Sequence, residues 1–395
     1  MNRKNFLTSV LGFSTISWIC IDKSKLPAKH ISLQPAPAQP ASAPAQPALA
    51  AAPQPAPAQP APAQPAPAAA PRPALASSAQ PLLIPPYLKP GDSIGITCPA
   101  GDITIKEIQP AVQLIESWGF KTITGSTVGK KDFIYGGTDA ERLADFQNML
   151  DNPDLKAILC ARGGYGSVHI VDQLDFSPLL KYPKWVIGFS DITVLLCHIH
   201  ANLHIASIHS KMCNSFPDDW TKAEPVQVAS ILSLRQALSG NEKMQYTTTP
   251  HPQNRPGTAE GQLVGGNLKT IETLAGTHSD IDTAGKILFV EDTGEYLYSI
   301  DRMFWHLQRT GKLDRLSGLI VGGFKIKPDD PGEEFGRTVY DIVAERIRPY
   351  GYPVCFDFPV GHQKENYAFK YGVPHTLVVG ADQVSLTETT KPVIA

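Results

Sequence analysis

The chain has 395 residues with 35 basic and 37 acidic side chains, and 14 of its 36 prolines fall between residues 35 and 73 among Ala and Gln. A segment of that composition cannot build a packed core, so residues 81–395 are expected to form the globular part. Those residues carry 29 basic and 36 acidic side chains, a net charge of −7, which argues against a nucleic-acid partner. Their number exceeds the usual size of one domain and predicts two.

Residues 1–30 are predicted to be a leader that directs export. The basic start MNRKNF precedes an apolar run from Leu7 to Cys20 that is too short to span a bilayer comfortably. NRKNFL also resembles a twin-arginine signal in which Lys4 replaces the second arginine. Cys20 ends the apolar run, either as a lipid-attachment cysteine or as an ordinary hydrophobic residue. The expected location is the cell envelope, on the periplasmic side, with a membrane anchor at the N-terminus as one outcome.

Residues 31–80 form a predicted linker rich in Pro and Ala. Its PAPAQPA units favour polyproline II, which rises ~3.1 Å per residue, so that roughly forty residues could span ~120 Å. One interpretation is a semi-rigid spacer that lets the globular part reach polymer far from its anchor. The alternative is a linker whose composition carries no such role.

Short apolar runs alternate with helical periodicity in residues 81–240. GDSIGITCPA, KTITG and LKAILC predict strands, and residues 105–119 predict a helix. A second helix is predicted to begin at an N-cap of Thr138 or Asp139 and to stop at Asn152. PKWVIGFSD repeats the order of strand, tight turn and helix. This alternation predicts an α/β domain with a mostly parallel sheet.

Residues 241–260 are polar and contain Pro without periodicity, and they are predicted to be an interdomain linker. Beyond them GQLVGGNL, KILFVEDTGE, LSGLIVGGF and TLVVGADQVSLTE supply strands and glycine turns for a second α/β domain over residues 261–395. The six cysteines lack CxxC spacing, and most are expected to be buried as small hydrophobic residues.

The motif VIGFSD places Ser190 between an apolar strand and a helix beginning near Asp191, which is the setting of a nucleophile elbow. The alternative is an ordinary serine at a helix start, and Ile192 departs from the GxSxG pattern. In ARGGYGS the amides of Gly163 or Gly164 could pair with the amide of Asp191 as an oxyanion hole, or the segment is simply a tight turn. It lacks GxGxxG and GK[ST], so no nucleotide cofactor is predicted.

Two further motifs carry candidate catalytic groups. KILFVEDTGE ends an apolar strand in Glu291 and Asp292, at the sheet edge where open α/β folds place their sites, unless this is only an exposed strand end. His362 in FPVGHQKEN lies in a loop, where a histidine is commonly just solvated. His200 and His204 are spaced for one helix face, but HANLH lacks the Glu of HExxH, and no metal is predicted.

Taken in order, GDSIGITCPAG, ARGGYGS, VIGFSD, GQLVGGNL, FVEDTGE, YSIDRM, GLIVGGF and VGHQKEN resemble the LD-carboxypeptidase family of serine peptidases, which includes the muramoyltetrapeptide carboxypeptidases. The resemblance covers nearly all of residues 88–382. It implies an N-terminal flavodoxin-like or glutamine-amidotransferase-like parallel-sheet domain, a C-terminal swivelling α/β domain, and a homodimer. Carried over by motif, it implies a triad of Ser190, Glu291 and His362 assembled across the two domains.

The reaction that this resemblance implies is hydrolysis of the L,D-amide bond that releases terminal D-Ala from murein tetrapeptide. The expected partner is therefore a peptidoglycan stem peptide, and no cofactor is expected. Two alternatives remain open. One is a related amide hydrolase of the microcin-C self-immunity type, which acts on peptide-nucleotide conjugates, and the other is a non-catalytic murein-binding protein.

The chain departs from the family pattern in two places. His209, Ser210 and Lys211 stand where the family commonly has HGP, and Phe369 and Lys370 stand where it usually has an apolar residue followed by proline. Neither change removes a member of the implied triad. The predicted substrate contacts are His209, Lys211 and Asn366, with Lys211 pairing with a substrate carboxylate if it enters the pocket.

Overall fold

The structure, a computed structural model, describes residues 81–390. The predicted leader, the Pro/Ala linker and Cys20 lie outside this range. Within residues 81–390, no helix is both long enough and apolar enough to cross a bilayer. The five cysteines of this range are all unpaired and buried, which confirms the expectation that they act as small core residues. They are Cys98, Cys160, Cys197, Cys213 and Cys355.

Strands and helices alternate along most of residues 81–390. The strands are β1 (Ser93–Thr97), β2 (Lys121–Thr124), β3 (Leu155–Cys160), β4 (Trp185–Gly188), β5 (Ser207–His209), β6 (Gln245–Thr248), β7 (Gly257–Asn267), β8 (Ile287–Thr293), β9 (Gly318–Lys325), β10 (Val354–Cys355), β11 (Phe369–Tyr371), β12 (Pro374–Val379) and β13 (Val384–Glu388). The helices are α1 (Ile105–Ser117), α2 (Asp139–Asp151), α3 (Ser167–Ile170), α4 (Pro178–Lys181), α5 (Thr193–Leu203), α6 (Pro225–Ser239), α7 (Leu268–Leu274), α8 (Leu297–Arg309) and α9 (Val339–Ile347).

The first sheet has the strand order β11-β5-β4-β3-β1-β2. Strands β1 to β5 pair in parallel, and only β11 runs antiparallel, against β5. Strand β4 is buried along its whole length, as expected for a central parallel strand made of a continuous apolar run. The predicted strands and the predominantly parallel sheet are therefore confirmed.

Local capping sets the starts of the first two long helices. Thr104 and Glu107 form a capping box at α1, in which each side chain accepts a hydrogen bond from the other's backbone amide. Thr138 and Glu141 do the same at α2, so of the two predicted caps Thr138 is the one used. Each cap satisfies backbone donors that the first helical turn leaves without a partner.

The second sheet has the order β10-β9-β8-β7-β12-β13-β6. Strands β7 to β10 pair in parallel, whereas β12, β13 and β6 add antiparallel pairs. The segment 241–260, predicted to be a linker, contains β6 and the first residues of β7. The position of the boundary between the two domains, placed in this segment from the sequence, remains a prediction.

Strand β11 was not expected, because it comes late in the chain and yet joins the first sheet. Phe369 pairs with His209, and Tyr371 pairs with Ser207. An isolated parallel bridge also links Gly361 to Gly323 of β9 in the second sheet. The segment between β10 and β11 is thus tied to both sheets, and this segment carries His362.

Candidate active site

Ser190 lies in a strained turn between β4 and α5. Its φ of +63° falls in the left-handed region that residues other than glycine rarely adopt. A 3-10 turn over Ser190–Ile192 leads directly into the helix, and the serine side chain caps neither element. A Cβ on Gly188 would lie 2.8 Å from Ile192 Cγ2, so the turn requires glycine there. The backbone is that of a nucleophile elbow.

Strand β8 ends in two adjacent carboxylates that face different neighbours, because successive side chains of a strand point to opposite faces. Glu291 is fully buried, and its Oε2 contacts His362. Asp292 instead accepts hydrogen bonds from Asn267 Nδ2 at 3.1 Å and from the Lys269 amide at 2.9 Å. Of the two carboxylates, Glu291 is therefore the one placed to orient the histidine.

Asp292 fastens α7 to the end of β8. Its carboxylate accepts from an amide in the first turn of the helix, where the helix dipole favours negative charge. Burial raises the pKa of Asp292 to about 7, and the adjacent Glu291 carboxylate adds to this increase. Hydrogen bonds from the backbone amides of Thr293 and Lys269 oppose it.

His362 connects the serine and the glutamate in one hydrogen-bonded chain. Its Nδ1 lies 2.5 Å from Glu291 Oε2, and its Nε2 lies 3.2 Å from Ser190 Oγ. An ionised carboxylate only accepts hydrogen bonds, so Nδ1 donates to Glu291 and Nε2 of the neutral ring accepts from the serine hydroxyl. This arrangement can move the serine proton to the imidazole, and the buried carboxylate stabilises the charge that results.

The loop that carries His362 can approach β8 only because Gly361 has no side chain. Its φ is +102°, and a Cβ there would lie 2.3 Å from Glu291 Cβ. The Gly361 amide donates to Asn366 Oδ1 at 2.8 Å, and the Asn366 amide donates to Ser230 Oγ at 3.1 Å. Asn366 has no exposed surface. In this structure Asn366 shapes the loop that carries His362, and its predicted direct contact with the substrate stays a prediction.

The glycine loop ARGGYGS lies directly against the elbow. A Cβ on Gly163 would lie 3.0 Å from the serine Cβ, and within residues 81–390 the amides of Gly163 and Gly164 donate to no other group. Asp191 Oδ2 accepts from the Ser167 amide at 2.8 Å, which ties the loop to the elbow. The buried Arg142 guanidinium donates to one backbone carbonyl of the loop itself, that of Gly166, and to the carbonyl of Pro99. The amides predicted to form an oxyanion hole are thus brought next to Ser190.

A cavity of about 290 Å³ opens beside Ser190. The ends of β7 and β8, helix α7 and the segments that follow β3 and β4 line it, and most of the lining residues are polar. The lining residues are Gly164, Tyr165, Val168, Ser190, Asp191, Val194, Asn267, Lys269, Thr270, Thr273, Asp292, Thr293 and Glu295. A cavity with convergent hydrogen-bonding groups and several ionisable side chains suits a small polar ligand such as a short peptide.

The two remaining predicted substrate contacts occupy different environments. His209 is fully buried between the rings of Phe189 and Phe289, with centroids 5.7 Å and 5.0 Å away, and this burial lowers its pKa to about 3. No atom of His209 is exposed in this structure, and its predicted contact with the substrate stays a prediction. Lys211 is half-buried, and its Nζ donates to the carbonyl of Gln363 at 3.0 Å.

The helical histidine pair does not form a metal site among the residues described. The rings of His200 and His204 lie 6.0 Å apart, and His200 is buried. No group of three His, Cys, Asp or Glu side chains in residues 81–390 is arranged to hold a metal ion. The expectation that the protein uses no metal or cofactor stays a prediction.

Both halves of the chain match a known pair of domains. Residues 94–210 match the LD-carboxypeptidase N-terminal domain, and residues 260–377 match the LD-carboxypeptidase C-terminal domain. Ser190 falls in the first match, whereas Glu291 and His362 fall in the second. The two domains that the sequence motifs suggested are therefore present in the expected order.

Curated relatives extend over most of the chain. It is 34% identical over 292 residues to a probable murein peptide carboxypeptidase of Bacillus subtilis, an alignment that covers 73% of this chain and 89% of the relative. It is 30% identical to a murein tetrapeptide carboxypeptidase of Pseudomonas aeruginosa, with 71% and 91% covered. It is also 27% identical to a microcin C7 self-immunity protein of Escherichia coli, with 78% and 97% covered.

Solved structures agree with these relationships. The muramoyltetrapeptide carboxypeptidase from Oxalobacter formigenes superimposes with a TM-score of 0.66 at 25% identity, covering 76% of this chain and 99% of that one. The likeness confirms the α/β fold with a parallel-strand sheet and a second sheet. Sequence, domain order and fold lead to the same conclusion: the chain belongs to the LD-carboxypeptidase family.

Proposed function

We propose that the protein is a serine carboxypeptidase that releases terminal D-Ala from murein tetrapeptide by hydrolysing the L,D-amide bond. The observation that carries this proposal is the chain of hydrogen bonds from Ser190 Oγ through His362 to Glu291. The murein peptide carboxypeptidases among its relatives support the substrate class.

In the acylation step, Ser190 Oγ attacks the carbonyl carbon of the scissile amide while His362 Nε2 takes the hydroxyl proton. The carbonyl oxygen becomes an oxyanion, which the amides of Gly163, Gly164 and Asp191 stabilise with hydrogen bonds. Such preorganised donors commonly supply a large share of the rate enhancement. Glu291 holds the imidazole in the required tautomer and offsets its positive charge.

The tetrahedral intermediate then collapses. The C–N bond breaks, His362 returns its proton to the leaving nitrogen, and D-Ala departs with a free amine. Water attacks the remaining ester with its proton taken by His362, and the ester bond to Ser190 breaks as the serine regains a proton. One water is consumed for each D-Ala released, and the enzyme returns to its starting state.

Mass spectrometry of murein tetrapeptide incubated with the whole chain tests this proposal. We expect the native protein to shorten the peptide by one D-Ala, and the Ser190→Ala variant to leave it intact. Circular dichroism and thermal unfolding check that the variant is folded. Turnover retained by Ser190→Ala would contradict the assignment of the nucleophile, and intact peptide with both proteins would contradict the carboxypeptidase proposal.

A second candidate is an amide hydrolase of the microcin self-immunity type, which the Escherichia coli relative favours. The same triad would serve that reaction, so only the substrate distinguishes the two. Incubation with a peptide-nucleotide conjugate in place of tetrapeptide decides between them, because the preferred substrate is the one with the higher kcat/KM. Tight binding of tetrapeptide without any product would favour a non-catalytic murein-binding protein instead.

We further propose that the protein acts in the periplasm, tethered through residues 1–80. The support is the apolar run ending at Cys20 and the Pro-rich segment behind it. Fractionation of cells that express the chain, with and without Cys20→Ser, tests this. Envelope association that depends on Cys20 indicates lipidation, soluble periplasmic protein indicates leader cleavage, and cytoplasmic protein contradicts the proposal.

We also propose that the active form is a homodimer, a property that the family resemblance implied. Light scattering of the purified chain at several concentrations tests the assembly. A mass of two chains is the expected result, and a mass of one chain throughout would remove the proposal.

A further inference from the structure

A half-buried ammonium lies beside the catalytic chain and takes no part in the mechanism above. Lys211 follows β5, and its Nζ donates to the carbonyl of Gln363, the residue after His362. The same Nζ lies 5.9 Å from the ring centroid of Phe189, the residue before Ser190. Lys211 therefore occupies the space between the chain neighbours of the nucleophile and of the base.

This ammonium has unused donors. An ammonium carries three N–H groups, and within residues 81–390 the single hydrogen bond of Lys211 is the one to Gln363. No carboxylate in that range forms an ion pair with it, although Glu291 is close enough to oppose the lowering of its pKa that burial causes. A desolvated cation with free donors favours an anionic partner.

The mechanism determines which part of a peptide would lie there. His362 Nε2 must reach the leaving nitrogen to protonate it, so the leaving residue lies on the His362 side of Ser190. In a terminal D-Ala, the carboxylate is attached to the same α-carbon as that nitrogen. The carboxylate thus remains within a few ångströms of the imidazole, and the Lys211 ammonium contacts the carbonyl of the residue that follows His362.

We propose that Lys211 binds the C-terminal carboxylate of the peptide substrate and thereby restricts cleavage to chain ends. The proposal rests on the proposed function and adds a specificity-determining residue to it. The family that this chain resembles commonly has a proline at this position, and a proline has no hydrogen-bond donor to offer. The proposed carboxylate contact therefore depends on the lysine by which this chain departs from the family pattern.

Binding to an inactive form isolates this role from catalysis. The full-length Ser190→Ala protein is titrated calorimetrically with murein tetrapeptide ending in a free D-Ala carboxylate, and with the same peptide ending in a carboxamide. We expect the acid to bind about 10- to 100-fold more tightly, the range of one charge-assisted hydrogen bond. Adding Lys211→Met or Lys211→Gln should reduce this ratio to about one, whereas Lys211→Arg should keep most of it.

Lys364 supplies the matched control. It lies in the same loop as Gln363, but its side chain is exposed and pairs with Glu224. In the Ser190→Ala protein, Lys364→Met should leave the ratio of acid to amide affinity unchanged. A general effect of losing one positive charge would lower the ratio in this control as well.

The outcomes separate this proposal from the proposed function. An unchanged ratio in both neutral Lys211 variants, equal affinity for acid and amide, or no binding of either peptide would overturn the role of Lys211. If the ratio depends on Lys211 but the native chain releases no D-Ala, the proposed carboxylate site stands and the proposed hydrolysis is wrong. The two neutral variants differ in polarity, so poor folding of one leaves the other to decide.

Discussion

The nucleophile and its acid–base partners are positioned by different means. Ser190 owes its position to a turn between consecutive elements, with a φ of +63° and with Gly188 making room for Ile192. His362 and Glu291 come from segments 71 residues apart in the chain, and they meet because Gly361 lets a loop settle on β8. One half of the site is built by local backbone strain and the other by long-range packing.

Because the two halves are held in different ways, we expect them to differ in how well they tolerate substitutions elsewhere in the chain. The turn at Ser190 joins a buried strand directly to the following helix, so we expect changes in distant segments to affect its position less. A loop that is held by close approach depends on many distant contacts, and small shifts of about 1 Å can cost ~10²-fold in rate. The acid–base half is therefore expected to be the more fragile one.

Among changes that keep Ser190 and His362, the largest effect should come from Glu291→Gln. This change keeps the size of the side chain but removes the charge that orients His362 and stabilises its protonated form, so kcat should fall ~10⁴-fold. Asp292→Asn is the neighbouring comparison, since Asp292 faces Asn267 and not the histidine, and its loss should be ~10-fold or less. Steady-state D-Ala release measures both, and equal losses would contradict the distinct roles of the two carboxylates.

Gly361→Ala should be next in size. Its Cβ would need the space of Glu291 Cβ, 2.3 Å away, at a φ of +102°, so we expect kcat to fall ~10²-fold and stability to fall by ~1–3 kcal/mol. Gly276→Ala isolates the backbone penalty, because Gly276 also has a positive φ but has no atom within 4 Å of the added Cβ. Equal losses of activity in the two variants would contradict the claim that Gly361 is needed for the close approach of its loop to Glu291.

The rate should fall toward acid pH. His362 must be neutral to take the proton of Ser190, and once protonated it can no longer accept it, so kcat/KM should fall about tenfold per pH unit on the acid side. A profile of D-Ala release between about pH 5 and pH 8 checks this. A flat profile would be incompatible with His362 as the base.

The last effect concerns stability and involves no residue of the catalytic triad. Burial lowers the pKa of His200 to about 3, against ~6.5 in an unfolded chain. Below pH ~6.5 the unfolded state therefore binds more protons, and the free energy of unfolding falls as the pH falls toward 3, by at most ~1.4 kcal/mol per pH unit for one histidine. Urea unfolding at several pH values should show a shallower fall for His200→Gln than for the native chain, and an equally steep fall would contradict the prediction.

Local features of the site could be predicted from the sequence because they lie within a few consecutive residues. The elbow of VIGFSD, the cap at Thr138 and the glycine loop each follow from residue types at short spacing. Strand β11 and the approach of Gly361 to Glu291 could not, since they depend on which distant segments meet. Glu291 and His362 are assigned catalytic roles by the resemblance of the ordered motifs to the family. Residue spacing alone leaves the role of each undecided.

Burial was the least predictable property of the site. His209 and Asn366 are predicted substrate contacts, yet neither residue has any exposed surface in this structure. Arg142, which anchors the glycine loop from α2, gave no signal, because an arginine in an amphipathic helix is ordinarily solvated. The side to which a polar residue faces is decided by packing between elements, and short sequence patterns do not contain that information.

A double-mutant cycle on D-Ala release tests most directly whether the two halves form one catalytic unit. Ser190→Ala, His362→Ala and the combined variant are compared with the native chain on murein tetrapeptide. If the strained serine and the loop-held histidine act together, the combined variant should be about as slow as either single variant. Losses that multiply in the combined variant would show two independent contributions and contradict this account.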